Sequence, residues 1–118
     1  MEEIKVNEYV RTKKGYIDKI INIERYNEEE KWLVGENFRK GLNNGYYGRT
    51  TDNDITKHSP NIIDLIEVGD YVNGLKVIEK REDFHCVIPD NGFNYYEHDI
   101  KTILTKEQFQ SVMYEVWI

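Results

Sequence analysis

Six side chains in one stretch are of the types that grip a ligand: Phe38, Arg39, Lys40, Tyr46, Tyr47 and Arg49, all within residues 37–53. A guanidinium group is a planar fork that matches phosphate, and an aromatic ring offers a base a face to stack on. Interleaved as they are here, these residues point to a nucleotide or nucleotide-like ligand. The same residue types dominate protein–protein hot spots, so a partner-binding loop is the competing reading. A third is an ordinary surface loop whose aromatics tuck into the core.

Other chemistry has less support. None of the three histidines, His58, His85 and His98, has the spacing of a metal-ligand motif. His85 and Cys86 are adjacent, so on a strand they face opposite sides and cannot hold one metal together. His98, between Glu97 and Asp99, reads as an exposed turn. Cys86 lies in the apolar run Phe84-His-Cys-Val-Ile88, where a cysteine acts as a small hydrophobe. A nucleophile would need a base and an oxyanion donor around it. Carboxylates are plentiful, yet none is spaced as an acid–base pair, and there is no phosphate-binding glycine loop or nucleophile elbow. The chain is expected not to be an enzyme and to use neither metal nor cofactor.

The charge is −6 over 118 residues and is unevenly spread. Residues 1–60 carry 11 basic and 11 acidic side chains, whereas residues 61–118 carry 5 and 11. An acidic surface gains nothing from counterion release on nucleic acid, which makes nucleic acid an unfavoured partner. Asp64, Glu67, Asp70, Glu79, Glu82, Asp83 and Asp90 are instead expected to face a basic surface on a partner protein. Plain solubility is the alternative. Disorder is the poorer reading, because aromatic, Ile and Val residues are abundant. The lone cysteine fits a reducing cytoplasm, and no apolar run approaches the length of a membrane span. The start Met-Glu-Glu-Ile does not read as a signal peptide.

These residues need strands to position them. Residues 1–5 read as a fraying lead-in, and Val6–Arg11 as a strand. Tyr16–Tyr26 alternates with Ile17, Ile21 and Ile23 on one face, and Ile20 out of step predicts a bulge. Lys31–Glu36 returns, residues 37–53 form a long loop, and Asp54–His58 is another strand. Ser59-Pro60 then starts a short helix to about Glu67. Asn73-Gly74 between Tyr71-Val72 and Leu75–Ile78 predicts a type I′ hairpin. Phe84–Ile88, Phe93–Tyr96 and Ile100–Leu104 are further strands, and Thr105–Gln108 fits a capping box.

The halves match in order: Val6-x-Glu8-Tyr9-Val10 with Val68-x-Asp70-Tyr71-Val72, and Trp32-Leu-Val34 with Cys86-Val-Ile88. Tyr46-Tyr47 pairs with Tyr95-Tyr96, and Asp54-Ile55 with Asp99-Ile100. The expectation is a mainly β protein of two tandem SH3-like barrel modules, residues 1–67 and a shorter acidic 68–118, possible also as one fused domain. Each would carry a short capped helix before its last strand. The apolar closing strand Val112–Ile118 needs cover, either from the barrel or from another subunit, and a homodimer is the expectation if the second holds.

The run Lys57-His-Ser-Pro-Asn-Ile-Ile-Asp-Leu-Ile-Glu-Val-Gly-Asp-Tyr-Val-Asn-Gly74, with Ile100-Lys-Thr-Ile-Leu-Thr-Lys-Glu-Gln-Phe109, resembles small proteins encoded in phages and prophages of low-GC Gram-positive bacteria. The likeness spans residues 4–25 and 54–116 and carries over no catalytic residue. What it implies is context: a non-enzymatic accessory protein in the host cytoplasm that acts by binding, as a counter-defence inhibitor of a host immune protein complex. The alternatives are a sponge that sequesters a nucleotide immune signal through residues 37–53, and a nucleic-acid-associated regulator.

Overall fold

β-Branched and aromatic residues alternating with polar ones build an antiparallel sheet from the first half of the chain. The computed structural model describes residues 3–25, 27, 31–36 and 49–112. In it, β1 (Tyr9–Thr12), β2 (Ile17–Arg25), β3 (Lys31–Gly35), β4 (Arg49–Thr51) and β5 (Ile55–Ser59) form a sheet of order β4-β3-β2-β1-β5. A second antiparallel sheet, of order β8-β7-β6-β9, joins β6 (Tyr71–Val72), β7 (Leu75–Arg81), β8 (Cys86–Pro89) and β9 (Ile103–Leu104). The protein is therefore mainly β, with one sheet in each of two units, Met1–Leu65 and Ile66–Ile118. Among the described residues the edge strands β4 and β5 form no ladder with each other.

Ile4, Val10, Ile20, Leu33 and Ile55 make the core of the first unit, with Tyr16 and Ile23 packed against it. The expected bulge in β2 is present between Ile20 and Asn22. Its effect differs from the expectation, because Ile20 is the fully buried residue and Ile21 is only half-buried. One extra residue reverses the alternation, so Ile20 before the bulge and Ile23 after it both reach the core. Within the expected fraying lead-in, Ile4 is buried.

The expected hairpin is found, with Asn73 at φ 51° and Gly74 at φ 82° between β6 and β7. These are the two left-handed positions that a type I′ turn requires. Ile66, Val72, Val77, Cys86 and Val87 are fully buried in the second unit. The capping box is formed at the start of α1 (Lys106–Val112): the Gln108 N–H donates to Thr105 Oγ1 at 3.3 Å and the Thr105 N–H to Gln108 Oε1 at 3.4 Å. Phe109 anchors this helix by stacking on Tyr71, with ring centroids 4.9 Å apart.

Several boundaries move. In the first unit the turn begun at Ser59, a 3₁₀ helix at Ile62–Leu65, follows β5, and the turn before β5 is Asp52–Asp54. In the second unit a 3₁₀ turn, Glu97–Asp99, precedes β9 and α1 follows it. Residues 49–53 of the expected loop are β4 and part of that first turn, while 37–48 lie outside the described residues. So does most of the expected closing strand, residues 113–118. Phe93–Tyr96 is reduced to one bridge, Val87 with Tyr95.

The internal repeat survives at the level of register. Both units start with the same turn, Ile4-Lys-Val-Asn-Glu-Tyr-Val10 and Ile66-Glu-Val-Gly-Asp-Tyr-Val72, which is why the units divide at Ile66 rather than at Val68. Asn7 N–H bonds Ile20 C=O as Gly69 N–H bonds Val77 C=O, and both donors have positive φ. The second bulge, between Val77 and Glu79, occupies the same place as the first. Leu33 lies opposite Thr50 as Val87 lies opposite Tyr95. Register therefore aligns Thr50-Thr51, not Tyr46-Tyr47, with Tyr95-Tyr96.

Candidate functional site

Of the residues expected to hold a nucleotide, Phe38, Arg39, Lys40, Tyr46 and Tyr47 lie outside the described residues. Arg49 is placed by its backbone at the start of β4, opposite Val34 on β3.

The seven acidic residues do not form one face. Asp70 is fully buried. Its Oδ2 accepts the Glu67 N–H at 2.7 Å and its Oδ1 accepts the Lys106 N–H at 2.9 Å. One carboxylate thus ties the lead-in turn of the second unit to the start of α1, and it cannot meet a partner. Its counterpart Glu8 accepts the Lys5 N–H at 2.7 Å and lies 3.1 Å from His58 Nδ1 on β5. Glu67 is half-buried and pairs with Lys106 Nζ at 2.7 Å. That hydrogen bond holds the Lys106 ammonium above its ordinary pKa. Asp64 belongs to the first unit, where it accepts the Ser59 hydroxyl at 2.6 Å. Glu79 is neutralised by Arg81 Nε at 2.9 Å.

Glu82, Asp83 and Asp90 remain, all exposed. Glu82 has only a long contact with Lys80, 3.8 Å, and Asp83 and Asp90 have no cationic partner among the described residues. Each lies in a turn that lifts an aromatic ring into solvent. Glu82–Phe84 is a 3₁₀ turn closed by the His85 N–H to Glu82 C=O, with His85 left-handed at φ 50°. That conformation is costly for a residue with a Cβ, so Phe84 is held outward by a constrained backbone. Phe84 is 63% exposed and, with Lys80, Arg81, Glu82 and Asp83, lines a depression of about 520 Å³. After Asp90, the Asn91 Oδ1 accepts the Phe93 N–H at 3.1 Å while its Nδ2 donates to Tyr95 Oη at 2.9 Å. This brace leaves Phe93 70% exposed. Tyr96, also exposed, stacks beside His98.

Residue type alone does not single out Phe84 and Phe93, because the sequence pattern places each in a strand. Their signal was position: both follow turn clusters, Arg81-Glu-Asp and Pro89-Asp-Asn-Gly, rather than sitting inside an alternating run. Cys86 is buried, as a core strand residue should be. Among the described residues no group of three His, Cys, Asp or Glu is arranged to hold a metal ion, and no helix is long and apolar enough to cross a membrane. No family model, curated protein or solved structure matches the chain.

Proposed function

We propose that the protein acts by binding, not by catalysis, and that its second unit docks on a basic surface of a partner protein. The observation that carries this reading is the pairing of exposed rings with unneutralised carboxylates, Asp83 beside Phe84 and Asp90 upstream of Phe93. Burying a Phe side chain is worth about 1.5–3 kcal/mol, and these two rings keep that gain in reserve for a partner. Carboxylates at the rim steer a basic partner and reject acidic ones. Each unit is further read as a small SH3-like module. The order β4-β3-β2-β1-β5 with a 3₁₀ turn before β5 supports this, as does the matching order of the second unit. In the phage setting that the resemblance implies, the partner is a host immune protein complex and the effect is inhibition.

The test uses the full chain immobilised in lysate of a low-GC Gram-positive host. Phe84→Ala with Phe93→Ala, and separately Glu82→Lys, Asp83→Lys and Asp90→Lys together, should each release the same captured protein. Capture by the unaltered chain should fall as salt is raised. Equal capture by all three proteins would sink this surface as the docking site.

A further inference from the structure

We infer that the first unit holds a ligand site of its own, a pocket for a purine nucleoside phosphate lined by Lys13, Trp32, Thr51, Asn53 and Asp54. The depression measures about 340 Å³ and is completed by Thr50, a size within the range of small-molecule sites. Three fixed contacts shape it. The Lys13 N–H donates to Asp54 C=O at 2.8 Å, pinning the β1–β2 turn to the turn Asp52–Asp54. Trp32 on β3 lies opposite Thr51 on β4. The buried Thr50 hydroxyl donates to Asp54 Oδ2 at 3.1 Å and so orients that carboxylate.

The lining is supplied with polar groups that the fold does not use. The Lys13 ammonium, the Trp32 indole N–H, the Thr51 hydroxyl and the Asn53 amide have no side-chain partner among the described residues. Together they match the parts of a nucleotide. An indole face is a stacking platform for a base. A carboxylate accepts hydrogen bonds from the ring N–H and amino group of guanine, or from the amino group of adenine, and an Asn amide complements such an edge. Lys13 brings a point charge for phosphate, with Thr51 a second donor.

Comparison of the two units argues that the opening is not a requirement of the fold. In the second unit Cys86, which is buried, stands where Trp32 is, and Tyr95-Tyr96 where Thr50-Thr51 are. There the Asn73 side chain donates to the Asp99 C=O at 2.8 Å, and Asp99 is the counterpart of Asp54. A side-chain amide meets that carbonyl in one unit and a backbone N–H meets it in the other.

Calorimetric titration of the full chain with GMP, AMP, guanosine and inorganic phosphate tests the site. GMP or AMP should bind saturably at one site per chain and quench Trp32 fluorescence in a Trp117→Phe background. Guanosine should bind about tenfold more weakly than GMP. Lys13→Ala should remove that difference, and Asn53→Ala should weaken every base-bearing ligand. Both side chains are exposed, so the circular dichroism of these variants should be unchanged. Absence of heat with GMP and AMP at millimolar concentration overturns the site. So does nucleotide binding that neither variant alters, or inorganic phosphate binding as tightly as GMP.

Discussion

Asn73 should be the most sensitive surface position of the second unit. Its Oδ1 accepts the N–H groups of Lys101 at 2.8 Å and Thr102 at 3.0 Å, and its Nδ2 donates to Asp99 C=O at 2.8 Å. A net hydrogen bond contributes about 0.5–1.5 kcal/mol, and water replaces part of that at exposed Lys101 and Thr102, so the three together come to about 2 kcal/mol. Asn73 also holds φ 51°, a conformation that costs most L-residues about 1–2 kcal/mol and that Asn tolerates. Asn73→Ala therefore loses about 3–4 kcal/mol, against a total near 5 kcal/mol for a small unit. Asn73→Gly restores the left-handed freedom and loses only the side-chain bonds, about 2 kcal/mol. Asn73→Asp keeps the acceptor but sets a carboxylate against the Asp99 carbonyl, about 1 kcal/mol. Urea denaturation followed by circular dichroism gives the order, and amide hydrogen exchange at Lys101 and Thr102 locates it. The reasoning fails if Gly costs as much as Ala, or if those two amides exchange at the same rate in all variants.

Three other outcomes follow from the geometry. Asp70→Ala strips two backbone N–H groups of a charged acceptor and should cost about 2–4 kcal/mol, with Asp70→Asn intermediate, read as a shift in the urea midpoint. Ile20→Ala should cost about 2–5 kcal/mol and Ile21→Ala less than about 1 kcal/mol; equal costs would remove the bulge as the device that aims β2. Lys106 has a raised pKa, so its pair with Glu67 stabilises fully below the ordinary value of 10.5 and the benefit is lost as pH climbs through the raised value. Because the lysine side chain is 46% exposed, Lys106→Met should cost only about 0.5 kcal/mol at pH 7, and thermal melts of the two proteins should converge at the alkaline end.

What was legible in the residues was local. A period-2 pattern, two left-handed turn residues and a hydroxyl three residues before a glutamine are short-range signals, and β1, β2, the Asn73-Gly74 hairpin and the α1 cap followed from them. Distant bonds left no such trace. Nothing near Asp70 announces that it will bond an amide as far along the chain as Lys106, so by composition it looked like one more surface acid. The pairing of Tyr46-Tyr47 with Tyr95-Tyr96 went wrong for a related reason. Residue identity matched, but it is ladder register that fixes equivalence, and register puts Thr50-Thr51 there. The candidate site is the least legible part: Glu82, Asp83 and Asp90 show as charges, while the apolar neighbours of Phe84 and the tyrosines after Phe93 give each ring the pattern of a strand.

The two units separate what the fold needs from what it leaves free. Where they agree, the shared residues hold structure: Ile4 and Ile66 buried, Tyr9 and Tyr71 starting the first strand, Glu8 and Asp70 accepting a backbone N–H three residues earlier. An acid at that position ties the lead-in turn to β5 through His58 in one unit and to the start of α1 through the Lys106 N–H in the other. Where they disagree, the fold tolerates either choice, so structural demand does not explain the residue found. Trp32 against Cys86 and Thr50-Thr51 against Tyr95-Tyr96 are neighbours on paired strands, and in the first unit they line a depression. The second unit differs from the first at its own place: the constrained His85 follows an acidic turn that presents Phe84. The two copies thus diverge at two separate positions, the depression beside Trp32 in one and the ring-bearing acidic turn in the other. A variant at one position therefore reports on that position alone.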